Sequence, residues 1–180
     1  GDFFWMRNRE NMRFVACVDC TGHGVPGAFM SMIGSSLLNE AIEHQHYKPS
    51  EILNYLSENI RIRLHQAEKK NVDGMDISIC RFEELDNGNT KLVYAGAKGS
   101  LFFSKNNKIH TLKGDRRSIG GLYYRAGLSF QDFEMELSKE TMLYLISDGY
   151  IDQSNPKQER FGTNRFKKLI EKLHVLPVDE

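Results

Sequence analysis

The chain has 180 residues, enough for one domain that hides roughly 70% of its unfolded surface, and its composition of 40% hydrophobic and 27% charged residues is that of an ordinary globular protein. Its 24 Lys plus Arg balance 24 Asp plus Glu, so the basic footprint of a nucleic-acid binder is missing, which argues against nucleic acid as a partner. No apolar run approaches the ~20 residues that span a bilayer, and no signal peptide is visible.

Three cysteines, Cys17, Cys20 and Cys80, make an odd, sparse set that suits a reducing compartment, and the domain is expected to be cytoplasmic. The chain starts at Gly1 rather than Met. The expectation is a single domain over residues 1–180, cut at both ends from a longer protein that has room for a membrane anchor elsewhere.

In chain order, residues 2–6 are aromatic and residues 13–19 are β-branched and apolar, which predicts two strands joined around Asn8 to Asn11. The second ends on Asp19. The turn-forming run Cys20-Thr21-Gly22-His23-Gly24-Val25-Pro26-Gly27 leads into a predicted helix over 28–42, with Phe29, Met32, Ile33, Leu37 and Ala41 as its buried stripe, widened by Met30 and Leu38. A second helix starts at Ser50 after Pro49, carries Ile52, Leu56, Ile60, Leu64 and Ala67 on one face, and is expected to end near Lys70. Strands follow at 75–82, 91–96, 101–104 and 109–112, with Asn106 and Asn107 marking a hairpin. Two more are predicted at 128–137 and 141–146, before Asp148-Gly149. A last helix follows Gly162, capped by Thr163 or Asn164, with Phe166, Leu169, Ile170 and Leu173 inward. Trp5 and the other aromatics are expected in the core. This order of elements points to α+β layers rather than a doubly wound parallel sheet.

Asp19 and Asp148 each end an apolar strand, and Asp2 lies in the strand expected to pair with the one ending at Asp19. Carboxylates so placed can converge, and hard cations such as Mg²⁺ and Mn²⁺ prefer oxygen ligands. Spacing alone also fits turn residues. Cys17 and Cys20 have Cys-x-x-Cys spacing, but no second pair exists and strand alternation separates them, which argues against zinc.

Six segments in order resemble the motifs of SpoIIE-like phosphatases, members of the PPM metal-dependent protein phosphatase family. They are Gly1-Asp2-Phe3-Phe4, the run from Asp19 through Gly27 to Ser31, Asp73-Gly74-Met75-Asp76, Tyr94-Ala95-Gly96-Ala97, Ile119-Gly120-Gly121, and Ser147-Asp148-Gly149-Tyr150-Ile151-Asp152-Gln153, with Arg160-Phe161-Gly162 following. The resemblance implies an αββα sandwich, two mainly antiparallel sheets flanked by helices, with two Mn²⁺ or Mg²⁺ ions at one end. It implies that Asp19 bridges the metals, that Asp2 and Asp148 each bind one, and that the Cys20 carbonyl adds a ligand. A further aspartate expected on a last strand has no match: Asp179 follows a helix, so the C-terminal strand is expected to be missing and the activity of the fragment is left open.

His23 is a candidate general acid for the leaving alkoxide, or else a loop histidine held by backbone hydrogen bonds. Gly22, Gly24 and Gly27 read as backbone features of a tight loop. Asp73 and Asp76 read first as turn and strand-end residues, with an accessory ion as the second reading, and Asp152 as a solvated loop carboxylate. The implied reaction is hydrolysis of phosphoserine or phosphothreonine on a signalling protein by metal-activated water, without a phosphoenzyme; a non-catalytic docking module is the alternative. The implied partners are a phosphoprotein such as a STAS-domain antagonist of an anti-sigma factor, sensory or regulatory domains in the same polypeptide, and a second copy in a homodimer.

Overall fold

The structure, a computed structural model, describes residues 1–68, 71–121 and 127–176. The elements in order are β1 (Phe3–Arg9), β2 (Met12–Cys20), α1 (Gly24–Glu43), α2 (Pro49–Arg63), β3 (Gly74–Glu84), β4 (Thr90–Ala97), β5 (Ser100–Lys105), β6 (Lys108–Lys113), β7 (Ile119–Gly120), β8 (Phe133–Leu137), β9 (Leu143–Leu145), α3 (Asp148–Ile151) and α4 (Gly162–Leu173). One antiparallel sheet runs β1-β2-β3-β4-β8, with β7 paired to β3, and a second runs β6-β5-β9. The expected α+β sandwich is present.

Alternation along β2 explains the layering. Met12, Phe14, Ala16, Val18 and Cys20 are buried, while Arg13, Val15, Cys17 and Asp19 point to the opposite face. The buried row packs with Leu37, Leu38 and Ala41 of α1 and Ile52, Leu53 and Leu56 of α2, so both helices cover one side of the large sheet. Between the sheets lie Cys80, Leu92, Tyr94 and Leu101, joined by the half-buried Leu143 and Leu145. Beyond the small sheet, Phe166 and Ile170 of α4 pack on Phe102, with the Phe102 and Phe166 rings edge to face at 5.2 Å.

Several boundaries and faces differ from the sequence expectations. Helix α1 starts at Gly24, four residues early, because Pro26 sits comfortably in a first turn. Its stripe is shifted: Phe29 and Met32 are 60% and 68% exposed, and the buried face is Gly27, Met30, Gly34, Leu37, Leu38 and Ala41. Small residues let the helix lie close to the sheet, since a Cβ at Gly34 would stand 3.0 Å from the Met75 Cε. Helix α2 ends at Arg63, with Leu64 as its C-cap; Lys70, the expected end, lies outside the described residues. Residues 128–132 are not strand. Phe130 N–H donates to Asn54 Oδ1 of α2, the Asp132 carboxylate accepts from Ser50 N–H and Oγ, and Gln131 N–H donates to Asp115. The N-cap of α4 is Phe161 rather than Thr163 or Asn164, Leu169 is half-buried and Leu173 is exposed. Trp5 is in the core, but Phe4 and Tyr150 are not. Asp179 lies outside the described residues.

Candidate active site

The cleft is lined by residues of both sheets, among them Asp19, Asp76 and Ser78 of the large one and Ser100, Phe102 and Thr111 of the small one. Antiparallel pairing sets Phe3 opposite Val18 and Asp19 opposite Asp76, so Asp2, one residue before β1, continues the register toward Asp19. Asp19 shares the parity of Cys17, and its side chain therefore faces away from the helices into the space between the sheets. Asp148 arrives from the other side. Strand β9 ends at Leu145, and Ser147 caps the single-turn helix α3 that Asp148 opens, rather than the plain turn expected.

The three carboxyl groups meet. The Asp19 carboxyl lies within hydrogen-bonding reach of both Asp148 and Asp2, and burial, then the charges of Asp2 and Asp148, push it up from 3.8 to about 7. Gly149 adjoins this group, a Cβ there standing 3.7 Å from Asp2 Oδ2, in ordinary van der Waals contact. Like charges at such close quarters are costly unless a proton or a cation sits among them. Among the described residues, no three His, Cys, Asp or Glu side chains stand in a ready coordination cage. The aspartates contact one another instead. Their chemistry is nonetheless the all-oxygen donor set that suits a hard divalent cation, and burial with neighbouring carboxylates is what raises Asp19.

The loop after β2 is tightly built. Gly22 has a φ of 86°, and a Cβ on Gly27 would stand 2.6 Å from the Gly22 carbonyl oxygen, so loop and helix approach too closely for a side chain. Thr21 anchors it, its N–H donating to the Gly74 carbonyl and its Oγ1 accepting from Gly74 N–H while donating to Asp73. The Cys20 side chain is buried on the helix side, where burial raises its thiol to about 11, and its carbonyl accepts from the Gly1 amino group at 3.2 Å. Cys17 faces the cleft, its thiol raised by burial and then by Asp2 and Asp19. The two cysteines thus point to opposite faces, and all three cysteines are free.

His23 is the N-cap residue of α1, exposed, with no side-chain capping bond. It does not line the cleft that holds Asp19 and Asp148. Asp76 does line it, and accepts a hydrogen bond from Ser118 at 2.6 Å. Asp73 holds Thr21, and Asp152 pairs with Arg160 at 3.2 Å rather than facing solvent alone. The cleft, of about 420 Å³, also contains residues that sequence reasoning did not single out: Lys98, Lys113 and Lys167. No linear pattern unites these lysines, which come from a connection, a strand end and a helix.

The stage II sporulation protein E (SpoIIE) family model matches residues 10–180. No curated protein matches the chain by sequence. Among solved structures, the chain is similar to the SiaA-PP2C domain of Pseudomonas aeruginosa, at 29% identity and a TM-score of 0.83 over 99% of this chain and 67% of that one. It is also similar to the RsbU and RsbW domains of Rv1364c from Mycobacterium tuberculosis, at 19% identity and a TM-score of 0.68 over 96% of this chain. It spans 45% of that structure's length. The catalytic domain of the serine/threonine protein phosphatase PstP, in complex with two manganese ions, shares the fold at 11% identity and a TM-score of 0.51, over 87% of this chain and 75% of that one. No helix among the described residues is long and apolar enough to cross a membrane. With a family match that runs over nearly its whole length and two antiparallel sheets layered between helices, the chain belongs to the SpoIIE family and has the PPM phosphatase fold.

Proposed function

We propose that this chain is the catalytic region of a metal-dependent protein phosphatase that hydrolyses phosphoserine or phosphothreonine on a signalling protein. The observation that carries the reading is the convergence of Asp2, Asp19 and Asp148 at one end of the inter-sheet cleft. These side chains would hold Mn²⁺ or Mg²⁺, two ions by analogy with the family, with the Cys20 carbonyl as a further oxygen donor. Bound there, such cations supply an acidified water and neutralise phosphoryl oxygens, which a slow reaction like phosphate-ester hydrolysis requires.

The chain's own residues set the stage for that chemistry. Asp19, placed between the other two, is the natural shared ligand, and ionises fully once a cation replaces its proton. The close Gly22–Gly27 approach keeps the loop after Asp19 tight against α1. His23, exposed at the start of α1, is the proposed donor of a proton to the leaving alkoxide, from a loop adjoining Asp19. The proposed partner is a phosphorylated STAS-domain antagonist of an anti-sigma factor, with sensory or dimerising segments of the full polypeptide in control.

A docking module without catalysis is the second reading. It is favoured by the mutual contact of the aspartates in place of a ready coordination cage. An assay of phosphate release from a phosphoprotein with Mn²⁺ separates the two. The phosphatase reading expects metal-dependent turnover that falls at least about 100-fold in Asp19→Asn, as loss of a principal electrostatic group does. Turnover unchanged in that variant would remove the ligand assignment, and none in the parent would leave the docking module.

A further inference from the structure

The cleft is lined by side chains of both charges. Asp19 and Asp76 come from the large sheet and Asp148 from α3, which follows the small one. Lys98 follows β4 and bridges to Ile77 of β3, Lys113 ends β6, and Lys167 lies in α4. Among the described residues none of these ammonium groups forms an ion pair, with the aspartates or with anything else. Three cations from three separate elements thus share one cavity and remain unneutralised.

Lys98 and Lys113 have exposed side chains, and Lys98 is anchored through its backbone alone. Lys98 has a φ of 52°, a left-handed conformation in which glycine or asparagine is the ordinary occupant, and its N–H is tied to the Asp115 carbonyl at 2.8 Å. Lys167 is half-buried, with its Nζ 5.8 Å from the centre of the buried Phe102 ring.

We propose that Lys98, Lys113 and Lys167 form an anion-binding wall of the cleft and receive the phosphoryl oxygens of the substrate, with Lys167 the most buried of the three. This rests on the phosphatase reading and deepens it by assigning the phosphate's protein contacts. A phosphate monoester carries about two negative charges near neutral pH, and charge-assisted hydrogen bonds from lysine orient it in the cleft that also holds Asp19 and Asp148. Lysine as a compact point charge also tolerates the change in phosphoryl geometry during transfer better than a rigid fork would.

Isothermal titration of inorganic phosphate into the Mg²⁺-equilibrated protein tests the wall without any turnover. Lys98→Met, Lys113→Met and Lys167→Met keep the apolar stem and remove the charge. Lys172→Met, on α4 but outside the cleft, is the control. The expected result is phosphate affinity lowered roughly tenfold in Lys167→Met, and further in the triple variant, with Lys167→Arg partly restored and Lys172→Met unchanged. With para-nitrophenyl phosphate the same variants should raise KM more than they lower kcat. Equal phosphate affinity across the variants, or none in the parent, overturns the proposal even if the ester is cleaved. Lysine-dependent phosphate binding without any hydrolysis would uphold the wall and remove the phosphatase reading.

Discussion

Asp19 is the carboxylate at the end of β2, and its titration follows from where that strand ends. Its folded-state pKa of about 7 lies above the ordinary 3.8, so the folded, metal-free protein holds this proton more tightly than the unfolded chain does. The associated stability is therefore fully present below about pH 4 and is lost as pH rises through 7. In a chelator, Asp19→Asn should be more stable than the parent at pH 8, by about 1 kcal/mol after allowance for solvent screening of a partly exposed group, and the gain should vanish near pH 4. Thermal melts at the two pH values check this, and a gain independent of pH would assign it to some other cause. Asp2, Asp19 and Asp148 were legible in the sequence because each stands in a motif beside glycines, at or next to a strand end. Lys98, Lys113 and Lys167 were not, because their proximity is created only when a connection, a strand and a helix 15 to 69 residues apart in the chain fold onto one cavity.

At the scale of elements, α2 shows how a distant residue can complete a local signal. Pro49 opens the helix, but the orphan N–H of Ser50 is satisfied by Asp132, 82 residues away, which also accepts from the Ser50 hydroxyl. Asp132→Ala should cost about 1–2 kcal/mol in urea denaturation, the range of a lost helix cap. A change below about 0.3 kcal/mol would show that packing alone holds the entry to α2. The same contact helps explain why residues 128–132, apolar enough to suggest a strand, are not one: the Phe130 and Gln131 N–H groups are taken by the side chains of Asn54 and Asp115, and Asp132 caps α2. The mis-set stripe on α1 has a related cause. Helical spacing shows which residues can share a face, but Phe29 and Met30 are neighbours, and only the shape of the sheet decides that Met30 goes inside while Phe29 stays outside.

For the whole molecule, the α+β layering was legible because strand alternation, helix periodicity and the motif order agree. Strand order was not, since pairing partners such as β4 with β8 are separated by long connections that carry no local mark. The layers are joined by cores on both sides of the large sheet, and that predicts cooperative unfolding. Leu56→Ala, at a fully buried position of α2, should cost about 2–5 kcal/mol and shift helix and aromatic signals in circular dichroism together. Separate transitions would show that the small sheet and α4 fold independently of the helical side. The position of the acidic groups depends on this assembly, because Asp2 and Asp19 come with the large sheet and Asp148 follows the small one. Calorimetric titration of Mn²⁺ into the parent and into Asp19→Asn tests their shared purpose most directly. The account predicts saturable binding in the parent and affinity reduced by at least about tenfold in the variant; equal binding by both, or no binding by the parent, would contradict it.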